Sequence, residues 1–256
     1  MQEITVAVPT ADGTMETFIA HPDTQQPFPA VLIYMDMWGM RECLRGIARR
    51  VAAAGYYCAM PDLYYRNGRV RYAGHEITGR RLSFDMLEPA RQTLLRTSMD
   101  GLADEMVMSD TADLLRFIDR DRPQSVLGGA VGAIGFCMGG RHAFCAAGRF
   151  RQRVRAAACI HGTDLIKAGP DSPHRLALEA TGDIYCGHAE LDKYASPDVV
   201  EKLDESFAGS GGRYRYFLHQ GAQHGYAIPD RDVYDERAAS RDWQEILSMF
   251  KRQLEN

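Results

Sequence analysis

Residues 134–140, IGFCMGG, decide the fold. The apolar run AVGAIGF (130–136) leads into them, and a stretch able to form a helix follows from Met138 to Gly148. Gly135 and Gly139 flank Cys137 in the pattern G-x-C-x-G. This is the outline of G-x-S-x-G, a sharp strand-to-helix turn that presents a nucleophile at the end of a sheet. Here cysteine takes the serine's place. Two readings follow: Cys137 attacks a substrate, or it is a buried thiol on a turn whose small residues serve close strand–helix packing.

Outward from this turn, short apolar runs alternate with stretches of helical period. ITVAV (4–8) and ETFIA (16–20) flank Asp12-Gly13, which predicts an opening β-hairpin over about 3–21. AVLIYM (30–35) is almost continuously apolar, as a strand buried on both faces should be. A helix is expected from about Arg41 to Ala54, ending at Gly55, then a strand at 56–61, YYCAMP. Residues 62–83 read as a long loop and 84–120 as mostly helical. Further strands are expected at 156–160, 183–188 and 213–219, with a loop at 161–175 and helices at 197–208 and 234–254. The alternation predicts one α/β domain over 1–256, with a mostly parallel sheet and helices on both faces.

Composition bounds the function. The chain has 256 residues, 45% of them apolar, enough for one sizeable core. A net charge of −4 with no basic stripe argues against a nucleic-acid partner. No apolar run reaches the roughly 18 residues that span a membrane, and the start, MQEITVAVPT, is unlike a signal peptide. A cytoplasmic location is the expectation. The six cysteines form no C-x-x-C and no zinc-ligand spacing, so free thiols are expected. No cofactor is implied. A metal site from His188, Glu190 and Asp192 lacks a recognised spacing.

A hydrolytic triad on such a sheet runs nucleophile, acid, histidine, each just past the carboxyl end of a strand. Cys137, Asp192 in GHAELD and His224 in GAQHGY meet that requirement. Glu190 and Asp183 are rival acids; His219 and His188 are rival histidines. His142 lies on the helix leaving the turn and should point away. In this reading His224 takes the thiol proton, and Asp192 orients the imidazole. The Met138 N–H, next after the nucleophile, is one oxyanion donor, and Met37 in MDMWGM is the expected second. Asp36 ends the strand beside the site. It either engages the thiol or serves locally, as a cap near Arg41 or as a solvated side chain. Trp38, Tyr64, Tyr65 and Tyr226 lie near the site loops, as substrate contacts or as packing. His161-Gly162 and Ser172-Pro173-His174 read as loop features.

GFCMGG (135–140), HAELD (188–192), GAQHGY (221–226) and MPDLYYR (60–66) resemble the dienelactone hydrolase family of α/β-hydrolases over nearly the whole chain. The resemblance implies an α/β-hydrolase fold and a triad of Cys137, His224 and Asp192. The family's glutamate, which pairs with the resting thiol, is Asp36 here, shorter by one methylene. An arginine that binds the substrate carboxylate is replaced by Ile228, and Arg66 is one of several candidates for the second such arginine. The catalytic machinery looks retained and the specificity pocket altered.

The expected function is cysteine-dependent hydrolysis of a small-molecule lactone or activated ester. A thiolate leaves a tetrahedral intermediate readily, so it suits substrates with good leaving groups such as enolates. A redox thiol protein using Cys137 and a non-catalytic binding module are the alternatives. Oligomeric state is not encoded legibly.

Overall fold

The computed structural model describes all residues except 25, 69–80, 122–125, 212 and 256. Eight strands form one sheet: β1 (Gln2–Thr10), β2 (Gly13–His21), β3 (Phe28–Tyr34), β4 (Tyr57–Pro61), β5 (Val126–Phe136), β6 (Val154–Ile160), β7 (Asp183–Leu191) and β8 (Tyr214–Gln223). Their order is β1-β2-β4-β3-β5-β6-β7-β8. The hairpin β1–β2 joins the edge antiparallel, through β2 against β4. Every other pair is parallel. Seven helices are described: α1 (Glu42–Ala53), α2 (Pro89–Asp100), α3 (Asp104–Asp121), α4 (Met138–Arg149), α5 (Pro173–Ala177), α6 (Pro197–Phe207) and α7 (Glu236–Leu254).

The helices cover both faces, and β5 shows how. Alternate side chains of a strand point to opposite faces. A Cβ on Gly132 would lie 3.0–3.2 Å from Leu254 and Phe250 of α7. A Cβ on Gly135 would lie 1.9 Å from the Gly139 carbonyl oxygen of α4. α7 joins α1 on the first face, where the Arg50 guanidinium stacks on Trp243. α1 buries Leu44, Ile47, Ala48, Val51 and Ala52, the i, i+3, i+4 stripe of a one-sided helix. α4 differs: Met138 to Gly148 are all buried, so the helix after the turn runs through the core.

Three details depart from the expected layout. The stretch 84–120 is two helices, broken at residues 101–103, where Gly101 and Leu102 close the turn onto Thr97 and Met99. The loop at 161–175 leads into α5. Within the expected loop at 62–83, residues 69–80 lie outside the described residues, while Leu82 forms a one-residue parallel bridge with Arg231. Around Leu82 a second small apolar cluster gathers Trp38, Leu87 and Leu95, apart from the main core.

Candidate active site

β5, β7 and β8 end together at the carboxyl edge of the sheet, and each hands its next residue to one site. Cys137 follows β5 directly, Asp192 follows β7, and His224 follows β8.

Cys137 holds φ +58° and ψ −122°. That region is costly for a residue with a Cβ and is sustained only where the surroundings enforce it. Here the glycines enforce it. Gly135 admits the Gly139 carbonyl, and a Cβ on Gly139 would lie 2.4 Å from the Tyr34 and Met35 carbonyl oxygens. The N–H of Cys137 is shared between the Ile160 carbonyl oxygen (3.0 Å) and His161 Nδ1 (3.1 Å). Its thiol is nearly enclosed, at 5% residue exposure. As the N-cap of α4 it leaves the Met138 N–H among the unpaired donors of the helix start.

His224 Nδ1 bonds Asp192 Oδ2 at 2.7 Å. Asp192 Oδ1 accepts the Tyr194 N–H at 2.8 Å, so the acid is fixed by its own turn. The other histidine nitrogen, Nε2, is buried outside standard hydrogen-bond geometry. Burial alone would push the His224 pKa down. The neighbouring Cys137 sulfur and the Asp192 hydrogen bond outweigh it and hold the value up at about 10. Both causes favour the charged form of the ring, which faces the Cys137 sulfur on one side and the Asp192 carboxylate on the other. Tyr194, half exposed, stands edge-on over it at 4.8 Å.

The rival groups go elsewhere. His219 Nε2 pairs with buried Asp242 at 2.7 Å. His142 points away, to Asp104. His188 lies wholly buried in β7. Glu190 accepts the Gly221 N–H, and Asp183 sits at the far end of β7 beside Arg252. Cys145, the nearest thiol in sequence, is buried on α4, where burial pushes its pKa up to about 12.

Asp36 does not turn to the thiol. Arg41 donates Nη1–H to Asp36 Oδ1 (2.6 Å) and Nη2–H to Oδ2 (2.9 Å), and the Trp38 N–H also reaches Oδ1 (3.0 Å). Local partners occupy both oxygens, so the expected approach to Cys137 gives way to a buried ion pair. Met37 lies in the same turn, closed by a hydrogen bond from Gly39 N–H to the Asp36 carbonyl.

The expected substrate contacts are likewise redirected. Trp38 is fully buried in the small cluster with Leu82, Leu87 and Leu95. Tyr65 and Arg66 join Thr10, Asp12 and Asp110, the arginine saturated by two carboxylates. Tyr65 also lines a cavity of about 410 Å³ on the hairpin side, which shares no lining residue with the Cys137 site. Tyr226 and Ile228 are fully buried; the Tyr226 hydroxyl donates to Asp242. Each of these side chains is committed to protein neighbours.

His161 is the residue that sequence reasoning passed over. It directly follows β6 at φ +39°, is fully buried, and stacks edge-on against His224 at 5.0 Å and Tyr226 at 5.4 Å. Burial first, then His224 and Arg231, push its pKa well below the usual histidine value. The position directly after a core strand beside β5 is the signal that could have found it.

A mostly parallel eight-stranded sheet, helices on both faces and a sharp strand-to-helix turn at Cys137 after β5 define an α/β-hydrolase. The profile of the Dienelactone hydrolase family matches residues 15–254, and the chain belongs to that family of ester- and lactone-bond hydrolases. A Synechocystis protein named "Putative carboxymethylenebutenolidase" is 22% identical over 252 residues, covering 97% of this chain and 96% of that one. Among solved structures, a "Putative Dienelactone Hydrolase" from Klebsiella pneumoniae superposes with a TM-score of 0.82 at 21% identity, covering 98% of both chains. A dienelactone hydrolase-like promiscuous phosphotriesterase from metagenomic libraries gives 0.67 at 17% identity, covering 99% of this chain and 100% of that one. Among the described residues, no helix is long and apolar enough to cross a membrane.

Proposed function

We propose that the protein hydrolyses a small-molecule lactone or activated ester through a covalent thioester on Cys137, with His224 and Asp192 completing the triad. One observation carries this reading: His224, bonded through Nδ1 to the Asp192 carboxylate, neighbours the Cys137 sulfur at the carboxyl edge of the sheet, the arrangement of a thiolate–imidazolium pair.

An imidazolium is the partner that a reactive thiolate requires. The Cys137 sulfur attacks the carbonyl carbon, and the carbonyl electrons move to oxygen. The Met37 and Met138 N–H groups receive that oxyanion, assisted by the positive end of α4. The intermediate collapses by breaking the bond to the leaving oxygen. That oxygen departs as an enolate or phenolate and takes the His224 proton. Neutral His224 then removes a proton from water, and the hydroxide attacks the thioester carbonyl. The second collapse expels the Cys137 thiolate and restores the imidazolium. Asp192 stabilises the charged ring at both stages.

The chemistry favours good leaving groups. A thiolate departs more easily than an ordinary alkoxide, so an alkyl ester would mostly revert to starting material. Dienelactone, whose ring oxygen leaves as an enolate, meets this requirement. The test is parallel hydrolysis of dienelactone and p-nitrophenyl acetate by the wild-type protein and by Cys137→Ala. Turnover of either compound that the substitution abolishes supports the reading. Turnover that survives Cys137→Ala, or no turnover of either compound, defeats it.

A further inference from the structure

Asp36 has a side chain fully buried at the site's edge, yet it is not bonded to the nucleophile. The peptide that joins Met37 to Trp38 explains its contacts. The N–H of that peptide donates to Asp36 Oδ1 at 3.0 Å. Its carbonyl, the Met37 oxygen, accepts from the Tyr64 hydroxyl at 3.0 Å. Both polar ends of one peptide unit are therefore gripped by side chains from different strand ends. The preceding N–H, that of Met37, has no acceptor among the described residues. That N–H belongs to the adjoining Asp36–Met37 peptide, whose carbonyl accepts the Gly39 N–H, so fixing the peptides on either side of Met37 Cα prepares the donor for an oxygen that arrives only during reaction.

The grip extends further. Arg41, fully buried, divides its guanidinium between Asp36 and Asp230, donating Nε–H to Asp230 Oδ2 at 2.6 Å and Nη2–H to Oδ1 at 3.1 Å. Asp230 lies six residues beyond His224, in the same loop. Tyr64 also brings its hydroxyl within 3.6 Å of Met138 Sδ, beside the other oxyanion donor. Asp62 and Asp192 each use a carboxylate oxygen to accept the N–H two residues on, as Asp36 does. Asp36 thus shares its local geometry with the triad acid, but its outer partner is a guanidinium rather than an imidazole.

We propose that Asp36 and Tyr64 are positioning residues of the oxyanion site: together they clamp the Met37–Trp38 peptide, and Arg41 fixes that turn to the histidine loop at Asp230. This inference rests on the Cys137 hydrolase reading. It departs from a role for Asp36 in setting the state of the thiol.

The two roles make different demands on Asp36. A clamp needs an acceptor, which asparagine retains. Control of a thiol by charge needs the carboxylate, which asparagine lacks. The experiment compares Asp36→Ala, Asp36→Asn and Tyr64→Phe with the wild-type protein on p-nitrophenyl acetate and on its thionoester, whose C=S group fits a site built for C–O⁻ poorly. The rate of Cys137 alkylation by iodoacetamide is followed against pH in the same proteins. The clamp predicts that Asp36→Ala and Tyr64→Phe lower kcat on the oxoester by roughly tenfold to a hundredfold. KM should stay within about twofold, and the oxoester-to-thionoester rate ratio should fall. Asp36→Asn recovers most of the loss, and the alkylation profile is unchanged throughout.

An unchanged oxo-to-thiono ratio overturns the proposal. So does an alkylation profile that moves in Asp36→Asn in step with kcat. Should Asp36→Ala fail to fold, Tyr64→Phe decides alone, since it removes one oxygen and no charge. Oxoester turnover that survives Cys137→Ala would instead defeat the hydrolase reading, so the two failures are distinct.

Discussion

The Cys137 N–H lies 3.1 Å from His161 Nδ1, and these residues directly follow the neighbouring strands β5 and β6 with φ of +58° and +39°. An accepting Nδ1 carries no proton, so the neutral His161 ring carries its proton on Nε2. Protonating Nδ1 would set donor against donor and place a second cation against His224. Asparagine offers an acceptor near the Nδ1 position and tolerates the left-handed backbone; leucine does neither. His161→Leu should cost about 2 kcal/mol of stability, and His161→Asn less than half of that. Urea denaturation midpoints at matched slope check this. Equal losses in the two variants would show that the ring packing alone matters.

Asp192 bonds His224 at Nδ1, so when the ring is neutral its proton is kept on Nδ1 and Nε2 is left as the base. Asp192→Asn can present its amide N–H to Nδ1 and favour the wrong tautomer. A fall in kcat/KM of at least about a hundredfold is expected, with the fold intact because the Tyr194 N–H keeps its acceptor. Steady-state kinetics beside a thermal melt measures both. A change under about threefold would remove Asp192 from the mechanism.

The raised His224 pKa makes stability depend on pH with a definite sign. The folded value, about 10, exceeds the ordinary value near 6.5. The folded state therefore binds a proton that the unfolded chain releases between these limits. The stabilisation is complete below about pH 6.5 and fades as pH rises toward 10. The difference in unfolding free energy between wild type and His224→Gln should shrink across that window, by a few kcal/mol. Chemical denaturation at pH 6, 8 and 10 tests it; a constant difference would mean that the ring is not held charged.

Glycine substitutions separate the turn from the scaffold. Gly135→Ala places a Cβ 1.9 Å from the Gly139 carbonyl oxygen and 2.8 Å from the Gly140 nitrogen, a clash with backbone that cannot swing aside. Loss of soluble, folded protein is expected. Gly46, exposed within α1, has nothing within 4 Å of its virtual Cβ. Gly46→Ala should add about 0.5–1 kcal/mol through helix propensity and leave activity unchanged. Expression yield and melting temperature report both effects, and a stable, active Gly135→Ala would contradict the packing described for the nucleophile turn.

Legibility in the sequence followed the range of the interactions involved. β3, β5 and β6 are apolar over most of their length because both faces are covered, and that pattern is local. The places of Cys137, Asp192 and His224 at one edge of the sheet were readable because each follows the end of a strand. The fate of Asp36 was not: its partner Arg41 is five residues on, but Asp230 is 189 residues from Arg41, and only the fold brings them together. Tyr65 and Arg66 read as site residues by proximity in sequence, whereas the β1–β2 turn and α3 supply their partners. His161 looked like an ordinary loop histidine, since nothing in its neighbours reveals that β6 lies beside β5.

The one-residue bridge at Leu82 has a consequence for exchange with solvent. The Leu82 N–H is donated to the Asp230 carbonyl, and the Leu82 carbonyl accepts from the Asp232 N–H. The stretch before α2 and the loop carrying His224 therefore protect each other's amides. Deuterium uptake at Leu82 and Asp232 should proceed at matched rates, and a ligand that slows one should slow the other by the same factor. Two segments about 150 residues apart would then report the opening of the sheet's carboxyl edge as a single event.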